Sequence, residues 1–230
     1  MFSMTHKQII PAILPKDYFD LEKHLERTKG VTDFVQIDIC DGLYTQSKTW
    51  PFSHTPDIYF DKIISGEEGM PFWQDIDFEL DLMIKNPEDF YDNFLQLGPI
   101  RMVFHFETLK NPLEFIAKIK EEGLVEVGIA FSNNTDVAQH FDVIEIADVV
   151  QCMGIDKIGF QGQPFDERVF EQVKKIREKF PEKIIAVDGS VNEETLSLLS
   201  DAGVNNFLVG SAFFKEENLI ETIEELEDLV

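Results

Sequence analysis

The sequence is poor in basic residues. Its 230 residues include 20 lysines and arginines against 44 aspartates and glutamates, which gives a formal net charge of -24 at pH 7. A surface with this charge repels nucleic acids and anionic membranes. We therefore expect neither of them as a partner, and an anionic ligand must be bound by local dipoles against the overall field.

Cysteines and long apolar runs are also scarce. The two cysteines, Cys40 and Cys152, lie in strand-like segments, and their number and spacing are not typical of a disulfide framework or a zinc motif. No uninterrupted apolar segment approaches the ~18 residues of a membrane span, and no basic region is followed by an apolar run of signal length. We therefore expect a soluble, cytoplasmic protein.

Short apolar runs alternate with longer amphipathic segments, and the alternation recurs eight times. Several of the amphipathic segments begin with Asn, Asp or Pro and end with Gly, as helices do. Eight strand-helix units in 230 residues predict a (β/α)8 TIM barrel, with a doubly wound open sheet as the alternative. The predicted strands are 9–14, 34–40, 77–84, 100–107, 126–132, 149–155, 184–190 and 206–214.

Residues 43–76 interrupt this alternation. They contain three prolines (Pro51, Pro56 and Pro71) and the two tryptophans Trp50 and Trp73. We interpret the segment as a loop after the second strand, with a short helix and an insertion, and not as a domain boundary. The chain is thus predicted to form a single domain over residues 1–230.

The alternation within the predicted strands places carboxylates in the barrel lumen. In a barrel, strand residues of one parity point inward, and reactive groups gather at the carboxyl ends of the strands. The segment 34–40, FVQIDIC, points Gln36 and Asp38 inward, and the same parity sends Asp81 and Asp188 inward on the third and seventh strands. Clustered carboxylates persist if they share protons, bind a cation or transfer protons, so this cluster indicates function more than stability. The structural alternative is that one or two of them cap loops or neutralise a lysine.

Three glycine-containing turns lie after the sixth predicted strand, at the end of the seventh and at the end of the eighth. They are IGFQGQPF (158–165), VDGS (187–190) and VGSAFF (209–214). Glycine lets backbone N–H groups approach an anion closely, and the loops after strands seven and eight are the usual phosphate site of a TIM barrel. The turns predict a small phosphorylated ligand. The candidate binding residues are Gly159, Gly162, Gly189, Ser190, Gly210 and Ser211.

At these motifs the chain resembles the ribulose-phosphate 3-epimerase family over nearly its whole length. QIDICDG corresponds to the family's His-x-Asp-x-Met-Asp-Gly, LDLMI to its His-Leu-Met segment, GFQGQPF to Gly-Phe-Gly-Gly-Gln-x-Phe and VDGS to Val-Asp-Gly-Gly. The resemblance implies epimerisation of ribulose 5-phosphate and xylulose 5-phosphate at C3 through an enediolate, with Asp38 and Asp188 as the two bases. It also implies that Met83 and Met153 line the site and that a divalent metal is bound. The family often forms homo-oligomers (dimers or hexamers), and the acidic surface does not select an oligomeric state.

The chain departs from the family at the metal ligands. Gln36 and Asp81 stand where the family has its two metal-binding histidines. The set Gln36, Asp38, Asp81 and Asp188 offers only oxygen ligands, which favours Mg²⁺ or Mn²⁺ over Zn²⁺. Alternatively no metal binds, and Asp38 and Asp81 share a proton. His105, also of inward parity, is predicted to support the site without binding metal.

These observations favour a ketose-phosphate epimerase. Two alternatives stay open: a related barrel enzyme (a Mg²⁺-dependent aldolase or decarboxylase, or another sugar-phosphate isomerase), and a non-catalytic sugar-phosphate binder. The aldolase and decarboxylase relatives usually carry an Asp-x-Lys-x-x-Asp pattern on a strand, and no lysine lies inside the corresponding strands here.

Overall fold

A computed structural model describes residues 7–230. Eight parallel strands close into a barrel in the order of the sequence, each strand pairing with its neighbours and β1 with β8. This confirms the predicted (β/α)8 barrel and excludes the open sheet. The strands are β1 (Gln8–Ile13), β2 (Phe34–Cys40), β3 (Asp77–Met83), β4 (Arg101–His105), β5 (Glu126–Phe131), β6 (Val149–Met153), β7 (Ile184–Asp188) and β8 (Asn206–Val209).

Helices surround the barrel and begin at the capping residues that the sequence indicates. The Asp17 side chain accepts a hydrogen bond from the Asp20 amide at the first helix, and Asn192 and Thr195 form a capping box at the seventh. Within residues 7–230, no helix has the length and apolar character needed to cross a bilayer. The helices are α1 (Tyr18–Thr28), α2 (Ile58–Ile64), α3 (Tyr91–Leu95), α4 (Pro112–Glu122), α5 (Phe141–Ile146), α6 (Arg168–Lys179), α7 (Glu193–Asp201), α8 (Ser211–Phe214) and α9 (Leu219–Glu227).

Seven of the eight predicted strands are too long at their carboxyl ends, whereas the strand predicted over 34–40 has the observed bounds of β2. The strand predicted over 206–214 ends at Val209, and its last four residues form helix α8. Likewise, the strand predicted over 100–107 ends at His105, where a 3-10 turn over Phe106–Thr108 begins. An apolar run such as AFF fits a buried helical turn as well as a strand, so periodicity alone does not locate the end of the strand.

The strand side chains divide into an outer and an inner core, as the parity predicted. Val35, Ile37 and Ile39 of β2 belong to the large cluster packed under the helices. A smaller cluster fills the lumen below the polar residues, and it contains Ile10, Ala12, Phe34, Val149, Ala186 and Leu208. This apolar cluster therefore separates the polar residues of the upper lumen from the amino ends of the strands, where one further polar pair lies.

One carboxylate of inward parity lies away from the others, near the amino ends of the strands. Glu79 is 2% exposed, and its Oε2 accepts a hydrogen bond from Nη1 of Arg101 at 2.7 Å. The guanidinium also contacts Glu126 and stacks over the ring of Phe34. Burial raises the pKa of Glu79, and the Arg101 charge opposes that rise.

Replacing Arg101 by methionine is therefore expected to destabilise the fold. The substitution keeps the apolar stem but leaves Glu79 buried without its cation, which costs about 3 kcal/mol of unfolding free energy. Urea denaturation measures the loss, and the double variant with Glu79→Gln is expected to recover part of it. An unchanged urea midpoint for Arg101→Met would contradict the conclusion that Arg101 stabilises buried Glu79.

The segment 43–76 contains the predicted short helix, α2. Trp50 is fully buried, and its indole N–H donates to Oδ1 of Asp57 at 3.2 Å. The Thr49 hydroxyl accepts from the Cys40 amide and donates to the Asp38 carbonyl, both at 2.8 Å. These contacts fix the start of the segment against the end of β2, beside the functional residues.

Candidate active site

Three aspartates meet in the upper lumen. One carboxylate oxygen from each of Asp38, Asp81 and Asp188 lies within 4.8 Å of the other two. Asp38 and Asp81 are register partners on β2 and β3, and Asp188 is the last residue of β7. The structure therefore brings together the three carboxylates that the strand parity placed in one cluster.

Asp81 is held on both oxygens. Nε2 of His105 lies 3.0 Å from Oδ1, and Nε2 of Gln151 lies 3.0 Å from Oδ2. All three side chains are buried. Because a carboxylate only accepts, the imidazole donates through Nε2, so His105 supports the cluster as predicted. Asp81 replaces a family histidine, and two hydrogen-bond donors fix its orientation.

His105 connects the cluster to the protein surface. Its Nδ1 lies 3.4 Å from the hydroxyl of Tyr44, which lies 3.3 Å from Oε2 of the exposed Glu107. Burial opposes the charged imidazolium, but the Asp81 and Glu107 carboxylates attract it, and the pKa of His105 is raised above its usual value. A cationic His105 lowers the electrostatic cost of three adjacent carboxylates.

The two predicted bases have raised pKa values. Burial raises the pKa of Asp38 well above the usual range, and the charges of Asp188 and Asp81 add to this effect, while the bond from Gln36 opposes it. Burial and the charge of Asp81 raise the pKa of Asp188 to about 7. Carboxyl groups with such pKa values can both release and accept protons near neutral pH.

The donor set suits a hard divalent cation. Gln36 donates from Nε2 to Oδ1 of Asp38 at 2.8 Å, while its buried Oε1 has no hydrogen-bond partner. An unpartnered buried acceptor next to three carboxylates provides an all-oxygen ligand set. Gln36, Asp38, Asp81 and Asp188 thus form a cluster that could bind a metal, and the residues fit Mg²⁺ or Mn²⁺ better than a thiophilic ion.

The candidate phosphate-binding residues line a cavity of about 180 Å³ above the cluster. Asp38, Asp188 and Met83 form its floor, and none of the described residues that line it is a lysine or an arginine. Met153, also predicted to line the site, is not among the residues that line the cavity: it is fully buried, and its Sδ lies 3.8 Å from Nε2 of Gln151. The six candidates Gly159, Gly162, Gly189, Ser190, Gly210 and Ser211 all lie on its wall.

The turn after β7 approaches its neighbour closely. The φ angles of Gly189 and Ser190 are 100° and 54°, and a Cβ added to Gly154 would clash with the Gly189 carbonyl oxygen. Glycine at 154 is therefore required by the contact between the β6 and β7 turns. The Ser190 hydroxyl donates a hydrogen bond to the Gln163 carbonyl.

Comparison with known proteins identifies the family of this chain. The sequence model of the ribulose-phosphate 3-epimerase family matches residues 8–214. The chain belongs to this family. The family's enzyme from Eremothecium gossypii is 29% identical over 99% of this chain and 94% of its own length, and that of Bacillus subtilis is 28% identical over 95% and 97%.

Solved structures outside the family share the architecture. KGPDC from Streptococcus mutans superposes with a TM-score of 0.67 at 12% identity, covering 98% of this chain and 97% of that one. A 3-hexulose-6-phosphate synthase gives 0.66 at 15% identity, covering 97% and 99%. At these identities the likeness establishes the barrel fold and nothing more.

Sequence reasoning missed two residues of the site. Gln151 follows the inward parity of β6, so applying the parity rule to that strand would have found it. Tyr44 lies in the loop after β2, where no periodicity indicates the direction of a side chain. Tyr44 reaches His105 only because the loop after β2 lies close to β4. No local feature of the sequence predicts that distance.

Proposed function

We propose that this protein interconverts ribulose 5-phosphate and xylulose 5-phosphate by proton transfer at C3. The observation that carries the proposal is the placement of Asp38 and Asp188, on two separate strands, in the floor of one cavity whose wall is built from the glycine turns. Membership of the epimerase family supports the same reaction.

The chemistry requires two groups. The C3 proton is acidic because it lies next to the C2 carbonyl, and its removal leaves an enediolate. A single base that returned the proton from its own side would restore the original configuration, so inversion needs a second group on the other face. Asp38 and Asp188 supply these groups and exchange the roles of base and acid between the two directions of the reaction.

The raised pKa values support this division of roles. In the metal-free protein, burial raises the pKa of both carboxyl groups, that of Asp188 to about 7, and this favours a state in which the two groups hold one proton between them. One carboxyl group then begins as the acid while the other is ready to act as the base. Met83 and the apolar residues beside it exclude water from the reacting carbon.

A divalent ion, Mg²⁺ or Mn²⁺, would be held by Gln36, Asp38, Asp81 and Asp188. When bound, it supplies positive charge that stabilises the enediolate oxygens. His105 and Gln151 hold Asp81 in place for this task, and the turns after β6, β7 and β8 bind the substrate phosphate through backbone amides.

Proton NMR in D₂O tests the proposal. Purified protein is incubated with ribulose 5-phosphate and chelator, Mg²⁺, Mn²⁺ or Zn²⁺ in parallel samples. We expect loss of the C3 proton signal together with xylulose 5-phosphate, fastest with Mg²⁺ or Mn²⁺ because the ligands are all oxygen. Exchange without the epimer would indicate one working base, and no exchange under any condition, with phosphate binding intact, would refute the epimerase.

A further inference from the structure

The loop between β6 and α6, residues 154–167, carries a side chain that the family motif lacks. The chain has GFQGQPF where the motif has Gly-Phe-Gly-Gly-Gln-x-Phe, so Gln161 stands in place of a glycine. Its side chain lines the same cavity as Asp38 and Asp188. The extra side chain is therefore placed where a ligand would meet it.

The carboxamide of Gln161 lies over the turn after β8. A Cβ added to Gly210 would lie 3.0 Å from Nε2 of Gln161 and 3.7 Å from its Cδ. Gln161 is exposed, and within residues 7–230 no protein group forms a hydrogen bond with its carboxamide, so its N–H donors are available to a ligand beside a candidate phosphate-binding glycine. Glycine at 210 leaves room for this arrangement.

A second departure from the family fixes the same loop. Ser190, which replaces the last glycine of the family's Val-Asp-Gly-Gly, donates its hydroxyl to the Gln163 carbonyl. The serine adopts a φ of 54°, which glycine adopts at lower cost, so the hydroxyl bond offsets a local strain. On the other side of the loop, a Cβ added to Gly159 would lie 2.7 Å from Cβ of Thr45, so the loop also packs against the turn after β2.

We propose that Gln161 is a phosphate-binding residue, donating from Nε2 to a phosphate oxygen held over Gly210, and that Ser190 is a positioning residue that holds the loop carrying it. The inference rests on the phosphate site of the proposed function. The protein has a net charge of -24, and no basic residue is present among the described residues of the cavity wall. An added neutral hydrogen-bond donor therefore increases its affinity for phosphate. An amide that donates to a charged acceptor strengthens binding without the long-range field of a lysine.

The test uses variants of the full chain with inorganic phosphate as the probe, measured by calorimetry, and ribulose 5-phosphate for kinetics. Gln161→Ala is expected to raise the Kd for phosphate and the KM about tenfold, with kcat within about twofold, because one hydrogen bond to a charged group is lost. Gln161→Glu is expected to weaken phosphate binding further, since a carboxylate repels the anion. Gln46→Ala, an exposed loop residue outside the cavity wall, is the matched control.

The Ser190→Gly variant distinguishes the proposed role of Ser190 in positioning the loop from a role in stabilising the fold. Glycine adopts the φ of 54° without strain, so the variant is expected to keep the thermal stability of the wild type while its Kd for phosphate rises about threefold through loss of the Oγ bond. Ser190→Ala removes the same bond and keeps the strain. Ser190→Ala is expected to have the same Kd for phosphate as Ser190→Gly and a lower thermal stability.

Each outcome decides a separate point. Unchanged phosphate Kd and KM in both Gln161 variants, with the wild type epimerising, would overturn the role of Gln161 and leave the proposed function intact. Phosphate binding that weakens in the expected order, in a protein that does not epimerise ribulose 5-phosphate, would support Gln161 and refute the epimerase. A wild type that does not bind phosphate overturns the inference.

Discussion

Replacing either Asp38 or Asp188 by asparagine is expected to lower kcat for epimerisation by about 10³-fold, within the range for loss of a general acid or base. Asparagine preserves the size of the side chain and its hydrogen bonding but cannot take up or release the substrate proton. Both side chains line the cavity, and among the described residues they are the only acidic or basic groups that do so, so neither role can pass to another group on the wall.

The two variants are expected to differ in proton exchange. Each retains one base, so each still exchanges the C3 proton of the epimer that presents it to the remaining carboxylate. In D₂O, Asp188→Asn would therefore label one of ribulose 5-phosphate and xylulose 5-phosphate, and Asp38→Asn the other, without forming product. Labelling of the same epimer by both variants would contradict the two-face assignment.

Asp81→Asn provides the control for this experiment. It removes one negative charge from the cluster but leaves both proposed bases in place, and its amide still accepts a hydrogen bond. We expect weaker metal affinity and a smaller loss of kcat than in the other two variants. A loss of kcat as large as theirs would show that Asp81 does more than hold the ion.

The barrel could be predicted because its signal is repeated. Each of the eight strands shows a run of apolar residues between amphipathic segments, and the alternation in 34–40 assigns Val35 to the outer core and Asp38 to the lumen. Where no feature other than apolar character marks the carboxyl end of a strand, the predicted end is wrong. The run from Asn206 to Phe214 is mostly apolar, and the switch from strand to helix at Gly210 depends on where the barrel ends.

The candidate site was predictable where side chains lie on strands and unpredictable where they lie on loops. His105 follows the inward parity of β4 and was expected to support the cluster, and its Nε2 lies 3.0 Å from Oδ1 of Asp81. The bond from the Ser190 hydroxyl to the Gln163 carbonyl joins the neighbouring loops after β6 and β7. No local sequence rule gives the distance between two such loops, because the barrel as a whole determines it.

The stability of the metal-free protein is expected to fall as the pH rises from about 4 to about 7. The pKa of Asp188 is about 7 in the folded protein against an ordinary value of 3.8, so the folded state keeps a proton that the unfolded state has lost. Such a group stabilises the fold below its unfolded pKa, and that contribution is lost as the pH passes the folded value. For Asp188 the full loss is about 4 kcal/mol, and the raised pKa of Asp38 acts in the same direction.

Urea denaturation in the presence of chelator, between about pH 5 and pH 8, isolates this effect when the wild type is compared with Asp188→Asn. The variant cannot ionise at this position, so the wild type is expected to lose roughly 3 kcal/mol more than the variant over that interval. Asp61→Asn makes the same change on the exposed face of α2 and is expected to follow the wild type. Parallel curves for wild type and Asp188→Asn would show that burial and the neighbouring charges do not destabilise ionised Asp188. If the curves diverge as expected, Mg²⁺ or Mn²⁺ added near pH 8 is expected to restore stability, because the ionised cluster that weakens the fold is the one that binds the cation.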